Sequence, residues 1–287
     1  MKISFLIPMA GQYTGGRNWL WWVYKELEKL EDDVLLNTCD KDCDVIVCMS
    51  QTVIYKFINL HKQYPAIPII TYNWDWFSFI DKTKSPWPEL VELMKESIDV
   101  WTASNDTAKL CEKELGIKHH TIYACSVLDE FIKGENTRGD YVVQASRRDE
   151  RYKRFDLFEK ACNDLNIPYI SCHPKKYRRE QYIKILKGCR MLVMAANEES
   201  NATLSAVEAS YCKKPLLLSD IEACKECFKN TAIYFKTDDL DDLKSKLEKM
   251  YYGKLNADVE GAYKIAMEKY TPKAMANFIN KRLKKIL

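Results

Sequence analysis

No stretch of the chain is apolar for the length of a membrane span, so no integral membrane segment is expected. An excess of one charge is missing too. The formal net charge is +3 over 287 residues, and bulk charge by itself points to neither nucleic acid nor a lipid surface. Internal repeats and low-complexity tracts are absent, which removes solenoids and disordered arrays. The opening ten residues hold one Lys and an apolar run cut by Pro8, which reads as a first strand and not as a secretory signal. Metal-ligand spacing is lacking as well: Cys39, Cys43 and Cys48 fit no zinc pattern. Cys224 and Cys227 are a close pair without a second pair or a His at finger distance. Eleven cysteines, an odd number, then imply reduced thiols and a cytoplasmic protein.

What remains is a chain with 47% apolar and 30% charged residues, long enough for two ordinary domains. Strand-like and helix-like runs alternate from end to end, the signature of α/β architecture with parallel sheets. In the first half, strands are expected at residues 2–8, 34–36, 45–49, 67–72, 100–103 and 121–124, with helices at 18–30, 51–61, 88–97 and 105–115. A charged, Gly-containing stretch at 133–140, KGENTRGD, reads as a linker. A second alternating series follows, with strands at 141–145, 169–171, 190–194 and 216–218. Its helices are expected at 155–165, 179–187, from about 202, and at 238–250, before a basic last helix at 272–286. The division expected is 1–136 and 137–271, with 272–287 packing back on the first domain.

The second half gathers the chemistry. An apolar strand at 190–194 runs into a polar loop and a helix on which Leu204, Val207 and Tyr211 share one face. Glu208 lies among them, a carboxylate two turns into an otherwise apolar helix. The strand at 141–145 ends on Ser146-Arg147-Arg148, with Lys153-Arg154 just before the next helix. In a parallel sheet both loops emerge at the same edge, where fixed cations and a helix start suit a diphosphate and a carboxylate suits sugar hydroxyls. In the first half, the loop 73–88 carries three Trp and two Phe, and Asp75 stands at its start as either an acceptor-orienting base or a loop cap. Asp42-x-Asp44 precedes a strand and reads as a turn.

These segments resemble the large retaining family of GT-B glycosyltransferases. That family has a strand ending in Arg, a Lys a few residues on, and a Glu-x7-Glu signature continuing as Glu-Ala-x-x-Cys-Gly-Lys-Pro into a strand. AVEASYCKKPLLLS at 206–219 matches the continuation, with Cys212, Lys214 and Pro215 in register, and SRRDERYKRFDLFEKA at 146–161 matches the Arg-to-Lys pattern. The Gly15-Gly16 loop and YTPKAMANFINKRL at 270–283 fit too. The chain also departs from the pattern. Strict spacing from Glu208 falls on Ser200, with Glu199 one residue earlier. Either the loop holds an extra residue and Glu199 acts, or the first carboxylate is missing. Asn201 and Lys213 replace family glycines, and no counterpart is seen of the His that many members carry after a first-domain strand.

The resemblance implies a GT-B fold, two Rossmann-like doubly wound domains facing a central cleft. It also implies transfer of a sugar from a UDP- or GDP-type donor, with retention and without metal or cofactor. On that reading Glu199 meets the transferred sugar, and Arg147 and Lys153 neutralise the departing diphosphate. Glu208 holds the ribose, while Gly15, Gly16, Asn201, Ala202, Thr203 and Leu204 surround the phosphates. Asp75, Arg17, Trp19, Trp74 and Trp76 would face the acceptor, and the core would claim some of the indoles at 19, 21, 22, 74, 76 and 87, Trp22 first. A saccharide or glycolipid acceptor is expected. Two other readings stand beside it: a hydroxylated base in DNA, suggested by basic clusters at 175–179 and 281–285, and a non-catalytic nucleotide-sugar binding protein.

Overall fold

Runs such as VIVC at 45–48 and MLVM at 191–194 lack the polar alternation of a half-wet strand, and all four positions of each are buried. Such strands need cover on both faces, which parallel sheets flanked by helices supply. In the computed structural model, which describes residues 1–8, 18–31, 33–137, 139–146, 151–173, 176–199 and 204–287, every described strand pairing is parallel. The chain divides into two units, Met1–Cys125 with Pro272–Leu287, and Ser126–Thr271.

The first unit runs β1 (Lys2–Leu6), α1 (Asn18–Leu30), β2 (Asp33–Leu36), β3 (Val45–Cys48), α2 (Ile54–Gln63), β4 (Ile69–Asn73), α3 (Trp87–Glu96), β5 (Asp99–Thr102), α4 (Asn105–Leu115) and β6 (His120–Thr121). Its six strands lie in the order β2-β1-β3-β4-β5-β6. Helix α4 is capped at both ends: Ser104 Oγ accepts from the Thr107 amide at 3.1 Å, and Gly116 at φ 68 ends the helix. Asp42 and Asp44 do form a turn into β3, where the Asp44 carboxylate accepts from the Lys2 amide at 2.7 Å.

The second unit runs α5 (Asp129–Ile132), β7 (Val142–Ala145), α6 (Phe155–Asp164), β8 (Tyr169–Cys172), α7 (Arg179–Gly188), β9 (Met191–Met194), α8 (Leu204–Tyr211), β10 (Leu216–Ser219), α9 (Glu222–Phe228), β11 (Ile233–Phe235), α10 (Leu240–Tyr251) and α11 (Val259–Lys269). Its five strands lie in the order β11-β10-β9-β7-β8. The three-residue β11 is absent from the sequence reading, since a run that short between turns has no periodicity to detect.

A last helix, α12 (Pro272–Ile286), leaves the second unit and packs along α1 of the first. Its buried stripe of Met275, Ala276, Ile279 and Leu283 faces the core. Arg282 reaches the buried Asp99 at the start of β5 through two bonds of 2.7 and 2.9 Å, and Lys284 meets Glu31 at 2.7 Å. All eleven cysteines are free and buried. No described helix is long and apolar enough to cross a membrane.

Candidate active site

In the second unit, β7 and β9 are direct neighbours, paired Val142 to Met191 and Val143 to Leu192, so the loops that follow them leave the sheet side by side. One buried side chain sets their relation. Gln144, a polar residue inside the run that forms β7, donates its amide N–H to the Lys153 carbonyl at 2.6 Å. Its amide oxygen accepts from the Ala195 N–H at 3.2 Å. A second tie runs from the Asn197 N–H to the Tyr152 carbonyl at 2.9 Å. Both loops are thereby held at fixed height above the sheet, which satisfies backbone groups that would otherwise be buried without partners.

The outcome of this arrangement is an ion pair. The Lys153 ammonium donates to the Glu199 carboxylate, with the two side chains only 13% and 7% exposed. The ring of Tyr152 lies under the same ammonium, 4.6 Å from its centroid. Glu199 is also felt from below. The Cys224 thiol on α9 is pushed well above its ordinary pKa, first by burial and next by the negative charge of Glu199. Two of the residues expected to act on a donor thus meet each other directly.

Glu208 is buried on α8, all of whose side chains after Leu204 are buried. Its hydrogen-bond partners come from other elements of the second unit. Lys153 belongs to Glu199, and the cation at Glu208 is Arg179, the first residue of α7, at 3.1 Å from Oε1. The Ser126 hydroxyl donates to the same oxygen at 2.7 Å, and the Tyr182 hydroxyl donates to Oε2 at 2.5 Å. Arg179 in turn bonds Glu130 at 2.8 Å and lies over the rings of Phe131 and Tyr182, 4.8 and 5.5 Å from their centroids. Burial and the Glu208 charge together raise the Tyr182 phenol well above its usual pKa, which keeps it a donor. Arg179 and Tyr182, three apart on one helix face, were missed in the sequence reading, and so were Gln144 and Ser126.

The basic clusters read as a nucleic-acid footprint are partly committed inside the chain. Arg179 is held by Glu130 and Glu208, Arg282 by Asp99 and Lys284 by Glu31.

In the first unit Asp75 lies two residues past the end of β4, partly exposed, and its Oδ2 accepts from the Gln51 amide at 3.1 Å. The indoles around it differ from the expectation. Trp19 packs edge-on to Trp74 at 5.2 Å, and Trp76 packs edge-on to Trp87 at 5.5 Å while its N–H donates to Glu114 at 2.7 Å. Trp19, Trp74 and Trp76 are all buried, so their faces are taken up by packing and do not form an open stacking platform. Trp22, expected in the core, is 45% exposed, whereas Trp19 is 1% exposed. The buried stripe of α1 is Trp19, Leu20, Val23 and Leu27, and its helical phase turns Trp22 outward.

Leu204, expected near the phosphates, is the first residue of α8. Gly15, Gly16, Arg17, Arg147, Asn201, Ala202, Thr203 and the alternative sugar contact Ser200 lie outside the described residues. Among the described residues, no group of His, Cys, Asp and Glu side chains could hold a metal ion.

No protein-family model matches the chain, and no curated protein matches it in sequence. Solved structures do match. HepE from Anabaena, in complex with UDP, superposes with a TM-score of 0.72 over 99% of this chain and 100% of its own, at 13% identity. A glycosyltransferase from Rickettsia africae superposes with a TM-score of 0.70 over 99% of this chain and 98% of its own, also at 13% identity. Sucrose-phosphate synthase from Thermosynechococcus elongatus gives 0.68 over 100% and 99%, at 10% identity. Likeness at such low identity speaks to architecture, and the architecture agrees along the whole chain: two parallel-sheet α/β units of six and five strands have the GT-B fold of these glycosyltransferases.

Proposed function

We propose that this chain is a glycosyltransferase that moves a sugar from a nucleoside diphosphate sugar to a hydroxyl of a saccharide acceptor, free or carried on a lipid. The observation that carries the reading is the Lys153–Glu199 pair at the carboxyl edge of the second sheet. An ammonium has three protons to donate, so Lys153 can keep Glu199 and still offer protons to a diphosphate oxygen. Glu199 remains an acceptor for hydroxyls of the sugar being transferred. An ammonium preorganised in a site of low exposure stabilises charge building on the leaving phosphate far more than it would in water.

The remaining roles follow the resemblance. Arg147 joins Lys153 on the diphosphate. Backbone N–H groups of Asn201, Ala202, Thr203 and Leu204, with the Gly15-Gly16 loop, line the phosphates. Glu208 takes the ribose. Asp75, steadied by Gln51, orients the acceptor. The reaction proceeds with retention and without a metal, the leaving phosphate itself accepting the proton of the attacking hydroxyl. UDP sugars are the donors to try first, since structures of the same fold hold UDP, and HepE holds UDP together with glucose.

The test is a screen of nucleotide sugars by thermal shift, followed by donor turnover. A donor at about 100 times its dissociation constant stabilises by about 2.7 kcal/mol. Lys153→Met then lowers kcat by about 10²–10³-fold, the size of effect seen when one charge-stabilising donor is removed. Full turnover in Lys153→Met, or in Glu199→Gln, would sink the assignment, and the absence of any nucleotide-sugar shift would sink the function.

A further inference from the structure

Glu208 is a carboxylate with room for about four hydrogen bonds, two on each oxygen. Three are already used from within the second unit. Oε1 accepts from Ser126 Oγ at 2.7 Å and from Arg179 Nη1 at 3.1 Å, which fills it, and Oε2 accepts from Tyr182 Oη at 2.5 Å. Each donor is itself pinned. The Ser126 amide donates to the Tyr270 carbonyl at 2.9 Å. Arg179 is gripped by Glu130 and stacked on Phe131. The Tyr182 ring is half-buried and packs edge-on against Phe131 at 6.3 Å. Swinging any of them aside would leave a buried polar group without its partner, an arrangement that native proteins avoid.

We propose that Ser126, Arg179 and Tyr182 are positioning residues that leave Glu208 a single acceptor site, on Oε2, so that it reads one ribose hydroxyl of the donor and not two. The inference rests on the donor role given to Glu208 above and narrows it. The geometry converts a residue expected to chelate a diol into a one-hydroxyl reader whose direction is set by Tyr182. The enzyme then tolerates loss of one of the two ribose hydroxyls so far as Glu208 is concerned, and discriminates strongly against loss of the other.

The experiment uses UDP, 2′-deoxy-UDP and 3′-deoxy-UDP as probes, titrated calorimetrically into the full chain. The measured quantity is the ratio of each deoxy affinity to that of UDP, taken in wild type and again in Glu208→Ala. The difference isolates the hydroxyl that Glu208 holds from hydroxyls held by other groups. The expected result is that Glu208→Ala abolishes at least a tenfold discrimination against one analogue and changes the other ratio less than twofold. A tenfold effect on both analogues would overturn the inference while leaving Glu208 in the ribose site. No effect on either would remove Glu208 from the ribose site altogether. Failure of UDP itself to bind would overturn the donor reading.

Glu208→Ala leaves Arg179 and Tyr182 without a shared partner and could unfold the second unit. Tyr182→Phe provides an independent arm, since it keeps the ring and opens the second site on Oε2. In that variant the previously indifferent analogue should bind at least threefold worse relative to UDP than in wild type. An unchanged pattern of ratios in a folded Tyr182→Phe protein would refute the one-hydroxyl limit.

Discussion

Arg282→Met tests whether the last helix is part of the first unit. Asp99 opens β5 with its side chain 4% exposed, and three hydrogen bonds and one imidazole contact meet its two oxygens. Arg282 supplies two of the hydrogen bonds, at 2.7 and 2.9 Å, and Trp101 Nε1 the third at 2.6 Å, while His120 Nε2 lies 3.3 Å from Oδ1. Removing one partner of a buried charge pair costs about 3–5 kcal/mol. Trp101 and His120 remain on Asp99, so the lower end applies, about 3 kcal/mol. For a unit of this size that lowers the unfolding midpoint by about 10 °C. The assay is favoured by an accident of composition: all seven tryptophans, at 19, 21, 22, 74, 76, 87 and 101, belong to the first unit. Trp fluorescence therefore follows that unit, and far-UV circular dichroism follows both.

The same variant has a pH signature. In the wild type the His120 imidazole is held below its ordinary pKa by burial, against the pull of Asp99 and with help from Arg282, Lys118 and Lys285. A base whose folded pKa is depressed contributes stability above its unfolded pKa, and that stability is lost as pH falls through the unfolded value toward the folded one. Without Arg282 the repulsion is gone and the attraction of Asp99 is less opposed, so His120 takes its proton more readily and partly replaces the lost cation. The deficit of Arg282→Met should be largest near about pH 8 and shrink toward about pH 5.5. A fluorescence transition that does not move, or a deficit that grows with acid, would refute the account.

Two further outcomes follow from burial. The thiols of Cys48, Cys111, Cys162, Cys189 and Cys212 are pushed up to about 12, chiefly by burial, so at pH 8 the folded protein should react with a soluble thiol reagent at fewer than one site per chain. Several fast-reacting cysteines would contradict the packing. Gln144→Leu removes the side chain that joins the two site loops and strands the Ala195 N–H and the Lys153 carbonyl. It should cost about 2 kcal/mol or more in urea unfolding, and should lower kcat although Gln144 is itself only 2% exposed. Wild-type kcat in a folded Gln144→Leu protein would show that the tie does not position Lys153.

The alternation of elements was legible because each central strand is a short apolar run and each longer helix carries a 3.6-residue stripe. Burial on both sheet faces produces the first, and one-sided packing produces the second. What escaped was too short or depended on phase. The three residues of β11 carry no period. On α1, WLWW offers three indoles in four positions, and composition alone cannot say which faces inward. The continuing stripe through Val23 and Leu27 decides it for Trp19 and against Trp22. The length and aromatic content of the loop after β4 suggest an acceptor surface, yet Trp74 and Trp76 are packed inward.

At the site, what could be read was the residue out of place, and what could not was its partner. Glu208 in an apolar helix drew attention, and Gln144 in an apolar strand should have drawn the same, because a buried polar side chain persists only when it is hydrogen-bonded. The partners lie far off in the chain. Glu208 is 82 residues from Ser126, 29 from Arg179 and 26 from Tyr182, and Lys153 is 46 from Glu199. No local spacing rule reaches across such separations. Arg179 was further hidden by its neighbours, since a guanidinium in a run with Lys176 and Arg178 looks like one more solvated charge. Only the fold brings α7 against α8, and there Arg179 acquires two carboxylates and two aromatic faces. A buried carboxylate with its donors complete but for one acceptor site is a more selective device than the open Glu the sequence suggested, and it is built by residues the motif does not contain.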